Sequence, residues 1–233
     1  MKIIGIIPAR GGSKTIKLKN IVDLNGKPLI HYTAKAALNS KYIEKTFVST
    51  DNQKILKIAK NLGLNSIGLR SKKLSKDDTS TLDVIYNFIE EFKKKYVFQP
   101  DAIILLQPTS PFRTAQHIDS AIKKFIKFKP SSLVSVCKVP HRFNPDSQMT
   151  IKYKNYLQGL NGPLDKQKMN RHEKKNYYAR NGAAIYIIPL STLMKKKFFG
   201  LKPMPFEMDY ISSIDIDNKE DLKLASLVMK NSN

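Results

Sequence analysis

The sequence predicts an α/β fold: a mostly parallel sheet covered by helices on both faces, with a small β-rich insert. Three observations predict it. Runs rich in Ile, Val and Leu alternate with segments of helical period. The most apolar of these runs, 102–106, is continuous rather than alternating, as strands buried on both faces are. From about 140 to 180 this texture gives way to polar and aromatic residues without helical period. A chain of 233 residues suits one α/β domain with a modest insert, and 41% hydrophobic with 26% charged residues is a globular composition that disfavours disorder.

Residues 3–7, Ile-Ile-Gly-Ile-Ile, read as a buried first strand, because Pro8-Ala9-Arg10-Gly11-Gly12 ends the run too early for a signal sequence. Leu29, Ile30, Thr33, Ala34, Ala37 and Leu38 then make a helical stripe, followed by a strand over 46–50. Asp51 is placed to cap the next helix, whose Ile55, Ile58, Ala59 and Leu62 keep the i, i+3, i+4, i+7 spacing until Gly63 stops it. These pieces form a βαβ unit. Leu82, Ile85, Phe88, Ile89 and Phe92 define a helix before the strand at 102–106, and Ile118, Ala121, Ile122 and Phe125 define one before a strand at 133–137. Cys137, the only cysteine, is expected in the core of that strand; a single cysteine excludes an intrachain disulfide and a four-cysteine zinc site. The stretch 140–180, with Thr150-Ile151-Lys152-Tyr153-Lys154 as an alternating strand candidate, is read as an insert that serves as a lid or an oligomer contact. Residues 183–188 return to the sheet and 221–229 form a closing helix. The main domain is thus 1–139 plus 181–233, and the insert is 140–180.

The formal charge of +22, from 41 Lys+Arg against 19 Asp+Glu, would attract nucleic acid, an anionic membrane surface or small anionic substrates. Of those cations 35 are lysines, and runs such as 93–95 and 195–197 close helical segments, where cations suit the dipole and water. Arginine, the better residue for bidentate phosphate or base recognition, occurs only six times. A solvated lysine surface is therefore favoured over a nucleic-acid patch. No run approaches the roughly 18 apolar residues of a membrane helix, and a cytoplasmic location is expected.

Arg10-Gly11-Gly12-Ser13-Lys14, after the first strand, combines a sharp glycine turn with two cations, a combination that binds phosphate. Its spacing is neither the dinucleotide fingerprint nor a Walker A loop, and Lys17, Lys19 and Asn20 add donors beyond what a turn requires. Ser213-Ile214-Asp215-Ile216-Asp217 places two carboxylates on one side of an extended segment. Such a pair calls for a cation between the acids, and oxygen ligands suit Mg²⁺. The competing reading makes Asp217 or Asn218 a helix cap completed by Asp221. Gln107, in Gln107-Pro108-Thr109-Ser110-Pro111, follows a buried strand at the carboxyl end where open α/β sheets bind ligands, and a plain proline-bounded turn fits equally. Asn181-Gly182-Ala183 is consistent with a site or with a strand entry. The four histidines show neither metal spacing nor an acid–base partner, and nothing marks a serine or cysteine nucleophile.

Together these segments, with Gly26-Lys27-Pro28-Leu29-Ile30 and Ser49-Thr50-Asp51, resemble the CMP-sialic acid synthetase family, the acylneuraminate cytidylyltransferases, nearly end to end. The resemblance implies a Rossmann-like nucleotidyltransferase, a three-layer α/β/α sandwich whose β-rich insert pairs two subunits into a homodimer. It implies CTP and a nonulosonic acid as substrates, with CMP-sugar and pyrophosphate as products. Arg10, Gly12, Ser13, Lys19 and Asn20 would then hold the triphosphate, and Arg70, Ser80 and Thr81 would lie at the cytidine. Gln107 would meet the sugar, Asn181 the nucleotide or sugar side, and Arg171 the sugar carboxylate, from its own or the partner subunit. Asp215 and Asp217 would bind Mg²⁺, which with Arg10 and Lys19 neutralises developing charge, and Asp217 or a hydroxide beside it would take the hydroxyl proton. Thr15 and Lys17 depart from the glycine and proline usual in the family's loop. Residues 141–145 and the pair Ala179-Arg180 depart from N-acetylneuraminate-specific members, which brings legionaminic and pseudaminic acids into range. A near rival substrate is 3-deoxy-manno-octulosonate; a rival of another class is a basic RNA-binding module.

Overall fold

A computed structural model describes residues 1–152, 155–167, 170, 172 and 174–231. The elements run β1 (Ile3–Pro8), a short hairpin of β2 (Asp23–Leu24) and β3 (Lys27–Pro28), α1 (Ile30–Leu38), β4 (Lys45–Ser49), α2 (Gln53–Asn61), α3 (Thr81–Lys95), β5 (Ala102–Leu105), α4 (Ala115–Phe128) and β6 (Ser132–Lys138). A second hairpin, β7 (Met149–Lys152) with β8 (Tyr156–Gly159), stands apart from the main sheet. The chain returns through β9 (Tyr178–Arg180), β10 (Tyr186–Pro189), the single turn α5 (Leu190–Leu193), β11 (Pro203–Glu207) and α6 (Lys219–Asn231). The main sheet has the order β11-β6-β10-β5-β1-β4, with β9 added along β6. Only β9 and β10 run antiparallel to their neighbours.

The period-2 alternation of β1 explains the three layers. Ile3 and Ile7 pack toward Ile30 and Ala34 of α1, Ile55 and Ala59 of α2 and Ile118 and Ile122 of α4. Ile4 and Ile6 pack on the opposite face toward Phe88, Ile89 and Phe92 of α3 and Leu193 of α5. Both faces of the strand are therefore dry, which is why its sequence is an unbroken apolar run. A smaller cluster of Ile16, Leu24, Leu29, Ile216 and Ala225 pins the loop after β1 and the segment before α6 beside the same end of the sheet.

Three sequence expectations are corrected. Asn52, not Asp51, caps α2, accepting from the N–H groups of Lys54 and Ile55; the Asp51 carboxylate instead accepts the Gly11 N–H at 2.8 Å. Cys137 is half-buried rather than core, because β6 is leaving the helix-covered sheet at that point. The return strand begins at Tyr186, not Ala183. Val134 pairs with Tyr186 and Val136 with Arg180, so two steps along β6 face six along the partner. The four extra residues form a bulge in which Gly182 and Ala183 take left-handed φ values of 68° and 55°. In the insert, the strand candidate ends at Lys152, and Tyr153 and Lys154 lie outside the described residues.

The order of strands sets where a ligand fits. From β1 the chain crosses to β4 on one side, then returns to β5 on the other. The two connections part at the carboxyl ends of β1 and β5 and leave a crevice there.

Candidate active site

The crevice is a cleft of about 620 Å³ lined from β1 by Arg10, Gly12, Ser13 and Lys14, and from the following 3-10 turn by Lys19 and Asn20. Gln107, Thr109, Arg70, Lys76, Asp77, Thr81 and Asp217 also line it. The loop is held open from beneath. Ala9 N–H donates to the Ser49 carbonyl at 2.9 Å, Asn20 Nδ2 donates to the Arg10 carbonyl at 2.9 Å, and Ile16 plugs the small apolar cluster. Among the described residues no acceptor meets the N–H groups of Gly12, Ser13 and Lys14, and no atom lies within 4 Å of where a Cβ on Gly12 would stand. Unpaired amides beside five cations, opposed by Asp77 and Asp217, make a polyanion cradle. Arg70 is only 8% exposed, with its N–H on the Thr50 carbonyl and Nε on Ser75 Oγ at 3.1 Å. Burial lowers its proton affinity, Asp51 opposes that, and Arg10 adds to it. Arg10 is held by Asp77 at 2.8 Å and by the Lys76 carbonyl at 2.9 Å, while Lys14 reaches the same Asp77 at 3.3 Å.

A second cleft of about 720 Å³ adjoins the first and shares Thr81, Gln107 and Asp217 with it. Its remaining lining includes Ser80, Arg180, Gly182, Tyr186, Phe198, Phe199 and Asp215. Alternation in the extended segment 213–217 explains the seam: Ile214 and Ile216 pack into the small apolar cluster, so Asp215 and Asp217 both face the clefts. The Ile216 N–H donates to the Thr109 carbonyl at 2.8 Å, which stitches this segment to the loop after β5. Lys19 Nζ pairs with Asp217 at 2.9 Å, and Thr15 donates its hydroxyl to the Asp217 carbonyl. Asp215 Oδ1 is buried with no hydrogen-bond partner among the described residues. Burial holds the Asp215 carboxyl above the ordinary carboxylate range; Asp217 and Asp221 push the same way, while the Thr109 hydroxyl and Lys19 oppose. The cap of α6 is made without Asp217: Asn218 accepts the Asp221 N–H, and Asp221 accepts the N–H groups of Asp217 and Asn218. The twin acids are left for the clefts.

A cytidylyltransferase family model matches residues 4–229. The chain belongs to the cytidylyltransferase family. A CMP-N,N'-diacetyllegionaminic acid synthase of Legionella pneumophila is 34% identical over 99% of this chain and 97% of its own length. An N-acylneuraminate cytidylyltransferase of Escherichia coli is 36% identical over the whole of this chain, which spans 53% of that relative. A solved structure of CMP:2-keto-3-deoxy-manno-octonic acid synthetase complexed with CTP superposes with a TM-score of 0.75 over 100% of both chains at 17% identity, a likeness of fold. The three-layer sandwich is thus the family's nucleotidyltransferase architecture.

Within this family member, the residues expected from sequence divide into three groups. Arg10, Gly12, Ser13, Lys19, Asn20 and Arg70 line the first cleft, Ser80 and Asp215 the second, and Thr81, Gln107 and Asp217 both. The Ser80 hydroxyl is occupied as the cap of α3, accepting the Asp83 N–H and donating to its carboxylate at 2.8 Å. Asn181 lines neither cleft. It is 3% exposed, accepts from Ser135 at 2.6 Å and donates to Ser213 at 3.0 Å, so its work is to tie the bulge to the segment carrying the acids. Arg171 lies outside the described residues.

Asp77 escaped the sequence reading, Arg113 was given no role in it, and Arg180 entered it only as part of a departure from N-acetylneuraminate-specific members. Arg113 is 2% exposed beneath the loop after β5, donating to the carbonyls of Gln107 and Ala184 and to the Thr33 hydroxyl. Burial pulls its guanidinium down to about 9, against the support of Asp215. An arginine six residues past Gln107 was a usable signal, since a buried cation must have polar work to do.

Proposed function

We propose that the chain transfers CMP from CTP to the anomeric hydroxyl of a nonulosonic acid and releases pyrophosphate. The observation that carries this reading is the seam between two adjoining clefts, one a cationic cradle and one walled by aromatics, where Asp215 presents an unpaired buried oxygen. The relatives support the acceptor class: one is a legionaminic acid synthase, another a pseudaminic acid cytidylyltransferase of Campylobacter jejuni, 28% identical over 99% of this chain.

In this reading Gly12, Ser13, Arg10, Lys19 and Asn20 bind the triphosphate, and Arg70 and Thr81 face the nucleoside. Gln107, whose side chain is uncommitted among the described residues, orients the acceptor between donor and acids. The acceptor oxygen attacks the α-phosphorus in line, the bond to the pyrophosphate oxygen breaks, and the hydroxyl proton passes to Asp217, the acid common to both clefts. Arg10 and Lys19 stabilise charge on the transferring and leaving groups. The donor set fits a hard divalent cation such as Mg²⁺: two carboxylates, one with an orphaned oxygen, next to a phosphate cradle. Asp215 and Asp217 would hold it, and when bound it supplies charge neutralisation and geometry for in-line displacement. The exposed apolar side chains of the insert, Phe143, Met149, Ile151, Tyr156 and Leu157, support its reading as a separate unit, 140–180, that pairs two subunits. No described helix is long and apolar enough to cross a membrane, and we place the reaction in the cytoplasm, where CTP is made.

The test is pyrophosphate release with each of four nucleoside triphosphates, with and without Mg²⁺. The acceptors are N-acetylneuraminic, N,N'-diacetyllegionaminic, pseudaminic and 3-deoxy-manno-octulosonic acids. Release with CTP, Mg²⁺ and a nonulosonic acid is expected; release with the octulosonate alone transfers the assignment to that sugar. Asp77 supplies a second check. Its carboxylate competes with the triphosphate for Arg10 and Lys14, so Asp77→Asn is expected to lower the KM for CTP about two- to fivefold, the scale of a half-exposed ion pair. A raised KM would mean that Asp77 supports the nucleotide instead.

A further inference from the structure

We propose that the end of the molecule opposite the clefts docks on the surface of an anionic phospholipid bilayer, holding the chain at the membrane with its clefts turned to the cytoplasm. This docking is independent of the reaction proposed above. Strands β1, β4, β5, β6 and β11 share one direction, so the loops that feed them gather at a single end: 1–2, 39–44, 96–101, 129–131 and 199–202. Backbone bonds stitch that end together. Glu44 N–H donates to the Ile3 carbonyl at 2.9 Å, Asp101 N–H to the Lys2 carbonyl at 2.8 Å, and Ser131 N–H to the Lys202 carbonyl at 3.3 Å. The insert leaves from the far end of β6, past Lys138, so pairing of two subunits through it leaves this surface open.

The surface is cationic and apolar at once. The loops carry Lys2, Lys41, Lys129 and Lys202 against the acids Glu44 and Asp101, and Asp101 accepts the Lys2 N–H at 2.6 Å. Lysines on the bordering elements add to them and stand over aromatic rings, Lys45 at 5.2 Å from the Tyr96 centroid, Lys123 at 5.6 Å from Tyr42 and Lys127 at 5.3 Å from Phe128. Asp119 on α4 is engaged locally, accepting from the Ser40 hydroxyl at 2.6 Å and the Lys41 N–H at 3.1 Å. Lys129 ends α4 at a left-handed φ of 46°, a position where glycine is the easy choice and a side chain costs about 1 kcal/mol. A cation stands there despite that cost. Among these lysines Val97 is fully exposed, Leu201 is 85% exposed and Phe128 53%. Aliphatic side chains cannot stack on bases, but they bury readily at the boundary of headgroups and acyl chains, and lysines with apolar neighbours are the pattern of interfacial binding. None of the six arginines lies in these loops, so the face lacks the planar fork that reads nucleic acid while keeping the charge a lipid surface requires.

The experiment sediments the full chain with vesicles of phosphatidylcholine alone or of an equal mixture with phosphatidylglycerol, at about 0.15 M salt. Binding to the mixed vesicles and none to phosphatidylcholine is expected. The triple variant Lys41→Gln, Lys123→Gln, Lys127→Gln is expected to bind about 100-fold more weakly, at about fivefold per lysine. An equal charge change on α6, Lys219→Gln, Lys223→Gln, Lys230→Gln, is expected to leave binding within threefold of wild type. The double variant Val97→Ser, Phe128→Ser is expected to lose about tenfold or more through its apolar contact alone. All these side chains are exposed, so melting temperatures are expected to match wild type. Failure to bind the mixed vesicles, equal weakening by the two lysine triples, or no effect of the Val97 and Phe128 changes each overturns the assignment. Tighter binding to a mixed-sequence RNA, lost in the first triple and kept in the Val97 and Phe128 variant, would give the surface to nucleic acid and overturn it as well.

Discussion

Asp215→Asn is expected to reduce turnover on the order of 10³-fold while leaving the folded chain as stable as wild type or more so. The two halves of this expectation come from the same atoms. Among the described residues Asp215 Oδ1 has no hydrogen-bond partner, so its charge is well served only when a cation or substrate supplies one. Without that partner the buried charge is a burden on folding, and the carboxyl sits above the ordinary range chiefly because of burial. The sign follows from linkage. The folded chain binds this proton more tightly than the unfolded chain, so the burden is absent below the ordinary value of 3.8 and grows as pH rises through the raised one. Any stability advantage of Asp215→Asn is thus expected at neutral pH without divalent cation, and to shrink on acidification. Steady-state kinetics with Mg²⁺ and melting curves at pH 7 and pH 4 check both halves. Turnover within tenfold of wild type would remove Asp215 from the reaction.

Gly182→Ala is expected to lower kcat/KM by about 10²-fold or more, with secondary structure retained. A Cβ at this position would stand 2.1 Å from Asp215 Cγ and within 2.4 Å of both its carboxylate oxygens. Such contact displaces the acid from the seam, and the left-handed φ of 68° adds about 1 kcal/mol of backbone strain. The two effects are separable with Gly26→Ala, where φ is 79° but no atom lies within 4 Å of the new Cβ. That variant is expected to lose a little stability and no activity. Circular dichroism with steady-state kinetics on both variants checks this, and a Gly182→Ala enzyme within threefold of wild type would mean that the bulge does not position Asp215.

Much of this architecture was legible because it depends on local periodicity. The unbroken apolar runs of β1 and β5 and the helical stripe of α3 each state their own burial, and the structure places them there. That residues 10–20 line one cleft was legible because their cations and glycines are concentrated within eleven residues. What stayed hidden depends on juxtaposition. The bulge at 181–185 arises from a register shift against β6, which no residue near Asn181 announces. Asn181 looked like a ligand contact because its type suits one, yet its amide is consumed by Ser135 and Ser213 from elsewhere in the chain. Asp51 looked like a helix cap until the loop after β1 brought Gly11 to it. Asp77 and Arg180 lie in segments without pattern, and only the folded chain puts one against Arg10 and the other over Phe199. Strand β11 was missed because two of its five residues are prolines, which is tolerated at the sheet edge where it pairs with β6 alone.

In the proposed reaction the glycine turn after β1 and the acids before α6 together grip one cation–nucleotide complex. Electron paramagnetic resonance of Mn²⁺ titrated into the chain with CTP tests it most directly, because the signal of free ion fades as the ion is bound. Wild type is expected to take up the ion with CTP far more tightly than CTP alone does, and both Arg10→Ala and the double variant Asp215→Asn, Asp217→Asn are expected to lose that uptake. Undiminished uptake in the double variant would contradict the account.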